Sequence, residues 1–367
     1  MGERLSVMMP VRNGAAYVRE AIDSVLRQTF SEFEFLIIDD GSSDETPHIL
    51  KQYADRDSRI RVFVRHHRGQ VACRNELLEL ASNDIVACAD ADDICLPDRF
   101  ERQLPVMMRD ERLLVLGTGI VPVDAKGRRG RPWRTVTGAA VVARELGRRC
   151  CIAHPSCMMR RSDILGIGGY RPAYECAEDY DLFLRASEHG KVDNLAAVGV
   201  LYRRHEEGVS HSQALHQALS ADLARATHTL RASGKLDATQ GLPGAPELED
   251  PIVASLLSPA QMEFHRAMAV THDPNAGADE IRGALAYFLH APINKKQALP
   301  FQRAVVRLIG RHRLDRLGLR VVARAVALGP GRFVRLLSKA GLLNPALLSM
   351  RASPGDGARP TRSGAES

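Results

Sequence analysis

A mostly parallel α/β sheet flanked by helices, followed by a helical C-terminal appendage, is the fold the sequence predicts. Three observations predict it. Short β-rich runs alternate with amphipathic helical stretches through residue 120, the signature of strands joined by helical crossovers. Several of the apolar runs stop at carboxylates followed by small residues, as strand ends facing a ligand crevice do. Finally, 367 residues suffice for one large domain and a second module.

The strands are expected at Leu5–Met9, Phe33–Ile38, Arg61–Val64, Ile85–Ala89 and Leu113–Thr118. Between them the spacing of apolar positions predicts helices over Ala16–Gln28, Thr46–Ala54, Val71–Ala81 and Arg99–Met108, the second with Ser43 as a capping candidate. The stretch GRRGRPWR at 127–134 reads as an exposed basic loop, and short helices and a strand return to the sheet between Arg160 and Tyr202. A helix over His211–Ala232 ends the main domain, 1–232. The glycines and prolines of 233–250 mark a linker. Beyond it, 251–345 is helical and basic, with a start at Ser258–Pro259, and 346–367 has the composition of a disordered tail.

Composition narrows the class. With 45% hydrophobic and 26% charged residues the chain is an ordinary globular protein, and it shows neither a secretory h-region nor an apolar run long enough to span a membrane. Seven cysteines without CxxC spacing argue against a disulfide framework and a structural zinc site, so a reducing cytoplasm is expected. The net charge of +6 is uneven: Lys295 to Lys339 holds 12 Lys or Arg against Asp315 alone, and residues 1–294 carry −6. The acidic main body is therefore not a nucleic-acid surface. Arg303, Arg307 and Arg311, then Arg316, Arg320 and Arg324, recur at i, i+4 beside apolar Val305, Val306, Leu308, Ile309, Val321, Val322 and Val326. Such stripes suit either peripheral contact with an anionic membrane or a packed helical appendage.

The chemistry is concentrated in four stretches. In VACADADDICLPDRF an apolar run stops at Asp90, Asp92 and Asp93, and crowded carboxylates are costly unless a cation is present. Asp90 and Asp92 project to one side of an extended chain, which suits Mg²⁺ or Mn²⁺ sharing a diphosphate. Asp93 and Asp98 need only solvent and a helix start. An EF-hand is excluded because Ile94 and Cys95 stand where an oxygen ligand and a glycine are required. A haloacid-dehalogenase-type phosphatase also places DxD after a strand, but on the first strand of its domain, and here three strands precede it.

In FLIIDDGSSDET, Asp39 and Asp40 end a strand, either binding a base or ribose or forming an ordinary capped turn. RGQVACRNELLEL places Arg74 in a first helical turn, facing either a nucleotide or Glu76 and Glu79. YECAEDYDLFLRA puts Glu178, Asp179 and Asp181 at a helix start, where crowding raises a carboxylate toward the range of a general base. His154 is either a packed loop histidine or a functional one. His205, after Tyr-Arg-Arg, is a candidate to complete a metal shell or contact diphosphate.

Taken in order, LSVMMPVRNG, LIIDDGSSDET, GQVACRNELLELASNDIVACADADD, HPSCMMRRSDI, GGYRP and AEDYDLFLRA resemble the family 2 glycosyltransferases of the GT-A fold over about residues 4–210. The resemblance implies a Rossmann-like sheet and an inverting, metal-dependent transfer from a nucleotide-diphosphate sugar, UDP most often, to an acceptor hydroxyl. It further implies a glycan or lipid-linked acceptor in cell-envelope or polysaccharide synthesis. By position it places Pro10, Val11, Asp40 and Arg74 at the base and ribose, Asp90 and Ala91 beside the nucleotide, Asp90 and Asp92 in the DxD motif with Asp92 as direct metal ligand, and Asp179 as base. The chain departs from the family's start by reading PVRN. A non-catalytic nucleotide-binding adaptor remains the alternative without chemistry.

Overall fold

The computed structural model describes residues 5–205, 213–273, 275–291, 297–311, 316–328, 333, 336, 337 and 340. Two compact units divide the chain after Ser258.

In the first unit, β1 (Leu5–Val11), β2 (Phe33–Asp40), β3 (Ile60–Arg65) and β4 (Ile85–Cys88) alternate with α1 (Val18–Leu26), α2 (Thr46–Ala54) and α3 (Gln70–Leu80). After β5 (Ile94–Cys95) and α4 (Arg99–Arg109) come β6 (Leu113–Asp124), α5 (Ala139–Leu146), β7 (Met158–Arg160), α6 (Arg161–Gly166), α7 (Glu178–His189) and β8 (Lys191–Arg204). One sheet results, ordered β3-β2-β1-β4-β7-β6-β8-β5. Residues Phe33–Asp40 of β2 are all buried, as expected of a strand covered on both faces. The β1–β2, β2–β3, β1–β4 and β6–β8 pairs are parallel, while short β7 runs antiparallel between β4 and β6.

Strand order reverses between β1 and β4. The carboxyl ends of these neighbours, where Val11 and Asp90 lie, therefore flank the switch-point crevice at which α/β sheets bind ligands. Between α4 and the sheet, Arg99 is only 1% exposed. Its guanidinium donates to Gln103 Oε1 (3.0 Å) and to the Cys157 carbonyl (2.9 Å), which satisfies a buried cation without an acid.

The predicted linker does not behave as one. α8 (Ala214–Ala232) and α9 (Pro251–Leu256) belong to the first unit. Between them Thr239 is buried, and Asp237 binds Arg171 (2.8 Å) and Arg231 (2.6 Å). Gly and Pro there permit turns without detaching the segment. His211, at the predicted start of α8, lies outside the described residues, as does the 346–367 tail.

The second unit contains α10 (Pro259–His272), α11 (Ala278–His290), α12 (Ala298–Arg311) and α13 (Arg316–Ala327). Phe288 packs on Phe264 and Phe301 with ring centroids 6.4 and 5.2 Å away. Val305, Val306, Leu308 and Val321 of the predicted membrane stripe are buried, so they do not form an exposed apolar face. Arg324 also turns inward, donating to the Phe288 carbonyl (3.0 Å) and to those of Leu289 and Ala291, where a cation suits a helix C-terminus. The side chains of Ile309, Arg311 and Arg316 lie outside the described residues. Among the described residues no helix is long and apolar enough to cross a membrane.

Candidate active site

The loop leaving β1 is held by the loop leaving β2. Asn13, with φ 51°, donates its N–H to Ser42 Oγ (2.8 Å) and accepts the Ser43 N–H at 2.8 Å. Gly14 N–H meets Thr46 Oγ1 at 2.9 Å and Ala15 N–H meets Asp44 Oδ2 at 3.0 Å. The small polar residues of DGSSDET thus pin the backbone beside Pro10 and Val11. Ala91 lies against the same loop: a Cβ added to Gly14 would stand 3.8 Å from that of Ala91.

Alternation along β2 separates its two terminal aspartates. Asp40 accepts the N–H groups of Arg68 (2.8 Å) and Gly69 (3.0 Å) and meets His67 Nδ1 at 2.8 Å. Burial pushes its carboxyl up, but these hydrogen bonds outweigh it and hold the pKa below the ordinary value. Both oxygens are occupied by the protein's own loop, in which Gly69 takes φ +88°. Asp39, fully buried and in register with Val11, accepts the Ser42 N–H on Oδ1 (3.0 Å). Its Oδ2 has no hydrogen-bond partner among the described residues. The resemblance favours Asp40, although the strand's period of two already separates the pair.

The acidic stretch after β4 divides differently from expectation. Asp90 lies 3.6 Å from Arg74 Nη2 and 3.8 Å from His154 Nδ1, and its buried Oδ1 has no hydrogen-bond partner among the described residues. Burial raises its pKa, yet His154 and Arg74 bring it below normal. Asp92 Oδ2 meets His205 Nε2 at 2.8 Å, and burial, then the charge of Asp90, push its carboxyl up. Asp93 is not solvated as expected. It is 4% exposed, accepts the Arg203 N–H at 2.7 Å, and is driven well above the usual carboxylate range by burial and by Asp92 and Asp90. Asp98 makes no capping hydrogen bond and pairs with Arg102 instead.

Arg203 braces this loop from β8. Its Nε donates to the Asp92 carbonyl (2.8 Å), its Nη2 to Glu20 (2.5 Å), and its guanidinium lies 4.7 Å above the Tyr17 ring. Tyr17 in turn contacts His205, with rings 5.0 Å apart.

Arg74 pairs with neither Glu76 nor Glu79. Glu76 pairs with Arg65 and Arg68, whereas Arg74, 5% exposed, reaches Glu178 and approaches Asp90. A buried cation therefore joins the end of β4 to the start of α7. Next to Glu178, half-buried Asp179 accepts the Tyr180 N–H at 2.7 Å. Burial, then Glu178, push its carboxyl up to about 6, against the opposing pull of His154 and Arg74. Asp181 is structural: fully buried, it pairs with Arg171 and with Arg185 (2.9 Å). His154 is a packed histidine, with Nε2 2.8 Å from the Tyr170 hydroxyl, yet its Nδ1 faces Asp90.

Among the described residues no three His, Cys, Asp or Glu side chains form a ready metal cage. Mg²⁺ and Mn²⁺ usually take one or two carboxylates and complete their shell with water and phosphate. Asp92, in contact with His205, and Asp90 two residues before it are donors of that class.

The model of glycosyl transferase family 2 matches residues 6–167. A putative glycosyltransferase, EpsE, of Bacillus subtilis (strain 168) is 34% identical over 194 residues, covering 52% of this chain and 68% of the relative. The O-antigen biosynthesis glycosyltransferase WbnJ of Escherichia coli is 31% identical over 214 residues, 57% of this chain and 83% of its own. The chain is a family 2 glycosyltransferase. Its fold agrees with that assignment: S. aureus TarS residues 1–349, solved with UDP-GlcNAc, superposes with TM-score 0.55 at 18% identity, covering 90% of this chain and 91% of that one.

In this glycosyltransferase the Arg74 bridge has a measurable cost of removal. Arg74→Met leaves Glu178 buried and unpaired, and the urea midpoint should fall by the equivalent of about 3 kcal/mol. An unchanged midpoint would show that the bridge contributes nothing to folding.

Proposed function

We propose that this glycosyltransferase moves a sugar from a UDP-sugar to an acceptor hydroxyl with inversion, in the assembly of a surface polysaccharide. The observation that carries the reading is the placement of Asp179, a half-buried carboxylate pushed up to about 6, one residue from the Glu178–Arg74 pair that reaches Asp90. A base poised near neutrality therefore stands beside the acidic loop at the switch point. The O-antigen biosynthesis named for WbnJ supports the setting, and the UDP-GlcNAc bound by TarS supports the donor class.

Asp92 and Asp90, with His205, would hold Mn²⁺ or Mg²⁺, which when bound offsets the charge of the donor diphosphate. The chain's own residues supply the rest. Asp39 presents its orphan oxygen to the base or ribose, next to the backbone of Pro10 and Val11. Asp179 takes the acceptor's hydroxyl proton as that oxygen forms its bond to the anomeric carbon. The bond to the diphosphate breaks on the opposite face, the electron pair leaves with the diphosphate, and the configuration inverts. Arg74 anchors Glu178 and thereby fixes the first turn of α7.

A panel of nucleotide sugars assayed for released nucleoside diphosphate tests this. Turnover is expected with UDP-sugars and Mn²⁺, and is expected to stop when the cation is chelated. Turnover confined to donors of another nucleotide, or unaffected by chelation, would overturn the donor or the metal assignment respectively.

A further inference from the structure

From the loop between β6 and α5 we infer an acceptor-docking surface for an acidic glycan, an inference that rests on the transferase reading above and names its acceptor class.

Lys126, Arg128, Arg129, Arg131 and Arg134 fall within nine residues that contain no acid, on a main body that is otherwise net negative. Arg128 is satisfied by Asp124 (2.6 Å). Arg129, Arg131 and Arg134 are exposed and face no acidic partner among the described residues. The loop is a built structure. Gly130 and Trp133 donate to the carbonyls of Pro122 (2.7 Å) and Ile120 (3.1 Å), and Arg129 bridges Val123. At its far end Asn194 holds the Val136 carbonyl (2.9 Å) and Asp193 the Gly138 N–H (2.7 Å).

Trp133, the sole tryptophan of the chain, is 50% exposed in the middle of these cations. Its ring lies tilted against Tyr202, with centroids 5.7 Å apart and 48° between the planes, and the neighbouring Arg203 points to the opposite face of β8, toward Glu20. The loop leads directly into α5, which is joined to α7 by the Tyr180 hydroxyl and the Leu146 carbonyl at 2.5 Å. Asp179, the proposed base, lies in the first turn of α7. A half-wet indole offers the flat apolar surface on which a sugar ring stacks, and the surrounding guanidiniums match carboxylate or phosphodiester groups along a glycan. Stacking would select a carbohydrate, and the charges would select an acidic one.

The single tryptophan makes the test direct, since its emission reports this loop alone. The full chain is titrated with an oligogalacturonate, a phosphodiester-linked glycan, the methyl-esterified galacturonide and phosphatidylglycerol vesicles. A saturable change with either acidic glycan is expected, suppressed by salt and absent with the neutral ester. By calorimetry, Trp133→Ala and the double variant Arg131→Glu/Arg134→Glu should each bind that glycan about tenfold more weakly or worse, while UDP still stabilises them thermally. No response to either acidic glycan, an equal response to the ester, or a stronger response to vesicles would overturn the inference. Because UDP binding and donor turnover are read separately, failure here leaves the transferase reading standing, and failure there is seen independently.

Discussion

Asp179→Asn is expected to lower kcat by about 10³-fold, within the range general-base catalysis supplies, with the affinity for UDP unchanged. The variant keeps the size and the hydrogen bond from Tyr180 but cannot accept a proton. In the unsubstituted protein kcat/KM should rise with pH through an inflection near 6, the value to which burial and then Glu178 push this carboxyl. His154 and Arg74 face the same group and keep it from rising further. The amide of the variant has no ionisation there, so residual activity should lack that limb. Stability moves the other way. A carboxyl whose pKa is higher folded than unfolded loses stability as pH climbs from its unfolded value, near 4, through its folded one. The variant should therefore melt at a higher temperature than the parent at pH 7 and not at pH 4, by an amount on the order of 2 kcal/mol or less given its partial exposure. Full activity in Asp179→Asn would remove the base assignment. A lost activity with a lowered melting temperature at pH 7 would instead indicate structural damage.

The local code of this chain is readable where period and punctuation decide. The helix over Thr46–Ala54 has its predicted limits, because Pro47 in the first turn and the apolar spacing of Ile49 and Leu50 leave little choice. The strand ends bearing Asp39 and Asp90 are visible for the same reason: an apolar run closing on a carboxylate has few other structures to enter. What stays hidden depends on partners distant in sequence. Glu178 lies 104 residues from Arg74, and no helical spacing announces a pair made between α3 and the start of α7. Asp93 looks solvated in the sequence because its acceptor role is set by the N–H of Arg203, 110 residues on. The 233–250 stretch reads as a linker although it is not one, because glycine and proline report where the chain turns, not whether it detaches. Asp237 shows the difference: its two arginine partners come from a loop before α7 and from α8. The amphipathic stripe on Val305, Leu308 and Val321 is legible as a stripe, but only the tertiary structure reveals that neighbouring helices already cover it.

The second large effect concerns Asp92. Burial and the charge of Asp90 push its carboxyl up, so without a cation the cluster of Asp90, Asp92 and Asp93 stores repulsion, held in check by Arg74, Arg203 and His205. Removing one member should relieve it. Asp92→Ala, free of metal and nucleotide, is expected to melt at or slightly above the parent, whereas a residue that merely shaped the loop would lower the melting temperature when deleted. The loss appears on adding ligand. The parent should be stabilised by Mn²⁺ with UDP by about 3 kcal/mol at a hundredfold excess over Kd, and Asp92→Ala should show little of this gain and at least about a 10³-fold fall in turnover. His205→Ala, which removes the 2.8 Å contact to Asp92 Oδ2 but keeps both carboxylates, should weaken the metal response by about 10- to 100-fold without abolishing it. If Asp92→Ala retained the full Mn²⁺-dependent shift, the cation would have to be held elsewhere. If it lost stability without ligand, the carboxylate would be structural, and Asp90, two residues before it, would be the remaining candidate for the metal.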